Sequence, residues 1–359
     1  MVALIISDKP LSWKDLSSFY VSKKTLRLSK KSKELIKASN DTLRSMLKNG
    51  ELIYGVNTGF GKLSSVSIDK SDINQLQLNL VRSHAAGLGK PFDAGIVRII
   101  MVLKILSWSK GYSGIRLKLV SQLVNMLNKD ILPLIPSLGS VGASGDLAPL
   151  AHLACAMIGE GKVLHSGKLV SSKRAFNLAN LEPINLNAKE GLSLINGTQV
   201  STAIGIKALF EAQNLLFSAD IISALSVEAS LSSRQVFNPA IHRLKKHKGQ
   251  SITARNIYNF LKGSEIVDSH KDCIKVQDPY CMRCIPHIHG SSWEVFSNSE
   301  RTINNEINSI SDNPLIFRNG SVQNSGHFHA EPIAQALDSL SIAISEIGEM
   351  KYNRPMIFG

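Results

Sequence analysis

Apolar residues along this chain recur mainly at helical spacing. Between residues 94 and 109, Ile96, Val97, Ile99, Ile100, Val102, Leu103 and Leu106 make a stripe so broad that the helix it predicts must be buried on most of its circumference. Further helices are predicted over about 115–128 and, after Asp146, over the apolar run 147–158. Residues 187–231 are rich in Ala, Leu, Ile and Ser and hold no breaker after Gly197 except Gly205. They predict one long buried helix with Asn196-Gly197-Thr198-Gln199 at its N-terminal end. Long helices are predicted again over about 293–309 and from 333 onward, while 11–47 is mixed helical and helical periodicity resumes near 71. Strand-like stretches are short: one hairpin turns at Ser166-Gly167, and a second is centred on Arg318-Asn319-Gly320-Ser321. The expected fold class is mainly α with small β hairpins, in an N-terminal domain of residues 1–195 and a long-helix domain of residues 196–359.

Composition changes this picture little. With 43% hydrophobic and 19% charged residues, the 359-residue chain is globular rather than disordered. Its 41 Lys+Arg against 28 Asp+Glu give a net charge of +13, concentrated in two runs at 22–33 and 243–248. No zinc-finger, RNA-recognition or helix-turn-helix pattern accompanies these runs, so they read as solvated basic faces and no nucleic-acid partner is expected. The surplus suits an anionic small substrate. The N-terminal apolar run is too short for a signal peptide and no stretch is long enough to span a membrane, so the expectation is a cytoplasmic protein without a membrane partner. Four cysteines are too few for a disulfide scaffold. In Cys281-Met282-Arg283-Cys284-Ile285-Pro286-His287-Ile288-His289 the histidines follow the Cys-x-x-Cys without the usual separating loop, so no metal is expected and the thiols should stay reduced.

The candidate chemistry lies in Gly139-Ser140-Val141-Gly142-Ala143-Ser144-Gly145-Asp146-Leu147-Ala148-Pro149-Leu150, where three glycines open unusual backbone conformations ahead of a helix. If the Gly145 nitrogen closes on the Ala143 carbonyl carbon, loss of water, including the Ser144 hydroxyl, gives a methylidene-imidazolone (MIO), an electrophile made from the chain. Taken alone, the tripeptide reads as a flexible Gly-rich loop before a helix far more readily than as an electrophile. Other polar residues recur where apolar helices begin or end: Tyr54 in the Gly-rich stretch 51–61, His84, Asn196, Gln277 and Tyr280 with Arg283, Asn313 before Pro314, and Phe328 before His329. Helix N-termini gathered around one point would make a positive site suited to an anion.

Taken together, Tyr54-Gly55-Val56-Asn57-Thr58-Gly59-Phe60-Gly61, Ser83-His84-Ala85-Ala86-Gly87, Gly142-Ala143-Ser144-Gly145-Asp146-Leu147-Ala148-Pro149-Leu150, Asn196-Gly197-Thr198, Gln277-Asp278-Pro279-Tyr280, Arg283-Cys284 and Ser311-Asp312-Asn313-Pro314-Leu315 resemble the aromatic amino-acid ammonia-lyase family, most closely its histidine-using branch. The resemblance implies a long-helix bundle of the ammonia-lyase/fumarase-like type. It also implies a cytoplasmic homotetramer whose sites combine several subunits, and conversion of L-histidine to urocanate and ammonia. It makes Ala143, Ser144 and Gly145 the source of the MIO, with no dissociable cofactor, and places Tyr54 in a lid loop as the base that removes the β-proton. By the same resemblance Arg283 pairs with the substrate carboxylate, Asn196, Gln277 and Tyr280 surround the MIO, Phe328 packs against it, and Asp146 assists its formation. His84 reads a polar substrate ring, where phenylalanine-specific members carry apolar residues. Two departures stand out: His327 replaces the family's Asn before the Phe-His pair, and the family continues past residue 359 through a further active-site segment and helices. The long-helix domain is therefore expected to be incomplete at its C-terminal end, with Pro355 disturbing its last helix. Alternative readings are a tyrosine or phenylalanine ammonia-lyase, an aminomutase, or an inactive homologue acting as an interaction subunit.

Overall fold

The computed structural model describes residues 3–272, 274 and 276–353; Pro355 and Cys273 lie outside the described residues. Its helices, in chain order, are α1 (Trp13–Val21), α2 (Lys30–Lys48), α3 (Ile73–His84), α4 (Ala94–Ser109), α5 (Leu117–Asn128), α6 (Leu147–Met157), α7 (Ser172–Leu178), α8 (Glu190–Ile195), α9 (Gln199–Ala229), α10 (Pro239–His242), α11 (Lys248–Phe260), α12 (Glu265–Asp268), α13 (Tyr280–Arg283), α14 (Ile285–Ile307) and α15 (Glu331–Asn353). The strands are short: β1 (Leu4–Ile6), β2 (Leu26–Leu28), β3 (Leu88–Pro91), β4 (Ile131–Pro133), β5 (Pro136–Leu138), β6 (Lys162–His165), β7 (Lys168–Ser171), β8 (Leu315–Ile316) and β9 (Val322–Gln323). They pair as β1 with β2 in parallel, and antiparallel as β3 with β5, β4-β6-β7, and β8 with β9. The mainly α class with small hairpins is the class observed. No described helix is long and apolar enough to cross a membrane.

The chain divides into two compact units, residues 1–207 with 304–334 and residues 208–303 with 335–359. In the first, α4 is the core helix: residues 95–109 are buried except Arg98, and α1, α2 and α5 pack on it. Its start is fixed by Asp93, whose carboxylate accepts from the Ile96 amide at 2.9 Å. The hairpin predicted at Ser166-Gly167 forms because both residues take positive φ, 51° and 74°, as a two-residue turn between twisted strands requires. A separate buried cluster of Leu43, Met46, Ile53, Val56 and Ile316 anchors the loop around Tyr54 by the residues on either side of it.

Two predicted boundaries differ from those observed. Residues 187–231 are not one helix: α8 ends at Ile195, Asn196 is extended, Gly197 has φ +131°, and α9 starts at Gln199. The break is held by tertiary partners, since the Gly197 carbonyl accepts from the Asp146 amide at 2.8 Å and the Asn196 carbonyl from the buried Lys104 ammonium. Helix α14 begins at Ile285, ahead of the predicted start near 293, because Pro286 sits in the first turn, where no amide donor is needed.

In the second unit α11 meets α14 at two glycines. A β-carbon on Gly249 would lie 2.0 Å from the Gly290 carbonyl oxygen, and one on Gly290 2.3 Å from the Gln250 nitrogen. Beside this crossing, buried His289 and Asp220 are joined at 2.9 Å, and Asn256 donates to the other Asp220 oxygen at 2.9 Å. Gly249→Ala should therefore lower the stability of this unit by about 3 kcal/mol, the upper end for overpacking. Urea unfolding reads this, and an unchanged midpoint would show that the helices can part at no cost.

Candidate functional site

The loop at 51–61 is ordered by its own polar residues. Asn57 accepts from the Ile53 amide at 2.7 Å and donates to the Glu51 carbonyl at 2.8 Å, while Gln77 on α3 donates to the Gly55 carbonyl at 2.9 Å. Gly55 has φ +63°, and a β-carbon there would lie 2.5 Å from the Phe60 ring and 2.8 Å from Leu192, so only glycine fits. Tyr54 is thereby presented to a cavity of about 540 Å³, edge-on to Phe60 at 6.0 Å. Ser144, His84, Asn196, Asn313 and Phe328 line the same cavity, with apolar walls from Leu76, Leu80, Leu147, Leu192 and Ile195.

Ser144 stands in a single helical turn, 142–144, with its amide donating to the Val141 carbonyl at 2.7 Å and the Gly145 amide to the Gly142 carbonyl at 3.3 Å. Gly145 has φ +85°, and a β-carbon there would meet the Gly197 and Phe328 carbonyl oxygens at 3.1 and 3.2 Å. Asp146 does not cap its own helix α6, as its position in the sequence suggests. Instead its carboxylate accepts from the Val200 and Ser201 amides at 2.7 and 2.8 Å, capping α9, and from the Ser140 and Ser201 hydroxyls at 2.6 and 2.7 Å. The Ala143-Ser144-Gly145 turn is thus pinned to the N-terminus of the long helix α9. Burial pushes the Asp146 carboxyl above its ordinary range, against the pull of these bonds.

His84 ends α3, and its Nδ1 lies 2.9 Å from the Leu80 carbonyl oxygen. A carbonyl can only accept, so Nδ1 carries a proton, and Nε2 is the ring nitrogen left to face a ligand. Asn196 donates through Nδ2 to the Asn313 carbonyl at 2.9 Å, and the Asn313 amide donates to Asp312 at 2.7 Å. Beneath them lies a buried charge network that sequence reasoning missed. The Lys189 ammonium donates to both Asp312 oxygens at 3.0 Å, the Ser193 hydroxyl adds a bond at 2.8 Å, and Lys104 reaches Asn196 and Gln199. Burial lowers the Lys104 pKa to about 7. Glu306, bonded to the Thr198 hydroxyl, is also pushed up by burial. Lys104 did carry a signal, as one of two charges, with Arg98, inside the apolar run of α4. Lys189, buried in the left-handed conformation at φ 70°, carried none.

Gln277, Tyr280 and Arg283 belong to the second unit and do not line this cavity. Gln277 and Tyr280 are exposed, and the Arg283 guanidinium donates to the Asp278 carbonyl at 2.9 Å. His327 is exposed beside Phe328. Among the described residues, no group of three or more His, Cys, Asp or Glu side chains is placed to hold a metal.

Comparison with known proteins accords with this arrangement. A histidine ammonia-lyase of Vibrio cholerae is 44% identical over 356 residues, covering 99% of this chain and 70% of that protein. The crystal structure of histidine ammonia-lyase from Trypanosoma cruzi superposes with a TM-score of 0.88 at 34% identity, over 98% of this chain and 66% of that one. Pantoea agglomerans phenylalanine aminomutase superposes with a TM-score of 0.91 at 31% identity, over 97% and 71%. This chain therefore spans about two thirds to seven tenths of the length of these relatives. Residues 11–356 match the family described as aromatic amino acid lyase, so the resemblance read from the motifs is borne out and the chain belongs to that family.

Proposed function

We propose that this chain is an ammonia-lyase that converts L-histidine to urocanate and ammonia, acting in the cytoplasm as a homotetramer. The single observation that carries the reading is the convergence of Ser144, Tyr54, His84 and Asn196 on one cavity. The shared name of the curated relatives supports it. The site also fits an MIO built from Ala143-Ser144-Gly145: Gly145 has φ +85° and a β-carbon there would be crowded on two sides, Ser144 is exposed to the cavity, and Asp146 is tied down by four donors. The MIO supplies an electrophile that makes the substrate amine a better leaving group.

The remaining work falls to side chains. Tyr54 in its phenolate form takes the β-proton at its phenolic oxygen; the C–H electron pair becomes the new double bond as nitrogen leaves the α-carbon with the C–N bonding pair. The His84 Nε2 lone pair accepts the substrate's ring N–H, which a phenyl ring cannot offer. Arg283 pairs with the carboxylate, for which its guanidinium fork is well shaped, and Gln277 and Tyr280 complete the surroundings of the MIO. In the homotetramer these three residues serve the site of another protomer. Assembly is supported by the exposed apolar side chains of α9, among them Phe217, Ile222 and Leu225.

The test is a panel of L-histidine, L-tyrosine and L-phenylalanine with product analysis. Urocanate from histidine alone supports the reading, a β-amino acid product moves the chain to the aminomutases, as the Pantoea neighbour allows, and a blank panel overturns it. His84→Phe should lower kcat/KM for L-histidine by about 10- to 100-fold, equivalent to ~1.4–2.7 kcal/mol. It should lower that for L-phenylalanine far less. Equal losses on both substrates would remove His84 from ring recognition.

A further inference from the structure

We propose that His152 is a positioning residue for the substrate ring: it ties the segment that follows His84 to the helix that follows the Ala143-Ser144-Gly145 turn, and so sets where His84 presents its acceptor nitrogen. The inference rests on the ring-reading role proposed for His84. Helix α3 ends at His84, and the chain leaves it in a tight turn in which the Ala86 amide donates to the His84 carbonyl at 2.8 Å. The Gly87 amide donates to His152 Nε2 on α6 at 3.0 Å. The crossing is close on every side. A β-carbon on Gly87 would lie 3.0 Å from that same nitrogen and 3.3 Å from the Leu138 carbonyl oxygen, and one on Gly139 would lie 3.2 Å from the Gly87 α-carbon.

Small residues at 87 and 139 therefore let the strap reach α6, and His152 supplies the polar contact that holds it there. An Arg82–Glu160 ion pair also links α3 to the chain beyond α6, but its side chains are 50% and 40% exposed, and such surface pairs contribute little. To accept from Gly87, the His152 ring must be neutral with its proton on Nδ1. Its half-buried position lowers its pKa and favours that form. His152 does not line the cavity, and α6 opens at Leu147, which does, one residue after Asp146. The β3–β5 pairing that begins at Leu88 and Leu138 and the direct packing of α3 on α6 set the coarse spacing of these elements, and the imidazole adds the side-chain tie at Gly87, next to the turn that leaves His84.

The experiment compares the full chain with His152→Leu and His152→Gln by steady-state kinetics on L-histidine and by hydrogen–deuterium exchange of the peptide covering residues 81–88. Leucine removes the acceptor, so KM should rise about five- to tenfold, as expected for one hydrogen bond. In the same variant kcat should stay within about twofold and exchange at 81–88 should accelerate. Glutamine offers an oxygen acceptor and should restore at least half of both changes. In a His84→Phe background, His152→Leu should add no further loss on L-histidine. Wild-type KM and exchange in His152→Leu, or a loss that adds in full to that of His84→Phe, would overturn the proposal. The exchange arm does not depend on turnover. If the unaltered chain proves inactive on L-histidine while exchange still responds to His152→Leu and recovers with glutamine, the tie stands and the proposed reaction is what has failed.

Discussion

Ser144→Ala should abolish ammonia release from L-histidine, by at least about 10³-fold or ~4 kcal/mol of barrier, together with the near-ultraviolet absorbance of an MIO. The two losses have one cause. Closing the ring joins the Gly145 nitrogen to the Ala143 carbonyl carbon and expels that carbonyl's oxygen as water; a second water then leaves with the Ser144 hydroxyl and the Ser144 α-hydrogen, creating the exocyclic double bond. Alanine has no hydroxyl to lose. The fold should not notice the change: Ser144 is exposed, and among the described residues its hydroxyl makes no hydrogen bond, so the stability cost should stay within about 0.5 kcal/mol. This separates Ser144 from Gly145, where any β-carbon meets two backbone carbonyls and structural damage would mask the chemistry. Absorbance at the wild-type level in Ser144→Ala, or activity without it, would sink the assignment of the tripeptide.

What was legible in the sequence depended on whether the cause was local. The stripe of α4 and the Ser166-Gly167 turn are decided by side chains within a few residues, and both appear where the pattern puts them. The break at 196–198 is different. Local composition favours one helix through it, and the interruption exists because Asp146 and Lys104, 50 or more residues away in sequence, bond to its carbonyls. Asp146 shows the same limit: its place before an apolar run suits a cap for α6, yet its carboxylate turns to α9. The cavity residues were legible as polar punctuation in the order of a family motif, but the charges supporting them were not. Lys189 has no periodicity, capping role or motif to mark it, and its burial follows only from Asp312, 123 residues further on.

That pair is where a single substitution should cost most in stability. Lys189 is fully buried and Asp312 nearly so, with side chains 0% and 3% exposed. Burial pushes the Lys189 ammonium down and tends to push Asp312 up. The positive charges of Lys189 and Lys104 and the hydroxyl of Ser193 nevertheless hold Asp312 below the ordinary carboxylate range, so the pair is ionised. Lys189→Met leaves that carboxylate buried without its main partner and should destabilise the first unit by about 3–5 kcal/mol. Lys189→Met combined with Asp312→Asn removes the orphaned charge and should recover at least half. The sign with pH follows. In the unaltered chain the depressed Asp312 pKa contributes stability that is present above the unfolded carboxylate pKa and lost as pH falls through the folded value. In Lys189→Met the carboxyl takes up its proton more readily when folded, so the deficit should narrow as pH is lowered from 7 towards 5. Activity should suffer as well, because Asp312 holds the Asn313 amide and Asn313 receives the Asn196 side chain at the cavity wall. Denaturant unfolding of the two variants at both pH values decides the matter: a single variant as stable as the wild type, or a deficit that widens in acid, would mean that Lys189 and Asp312 do not compensate each other inside the fold.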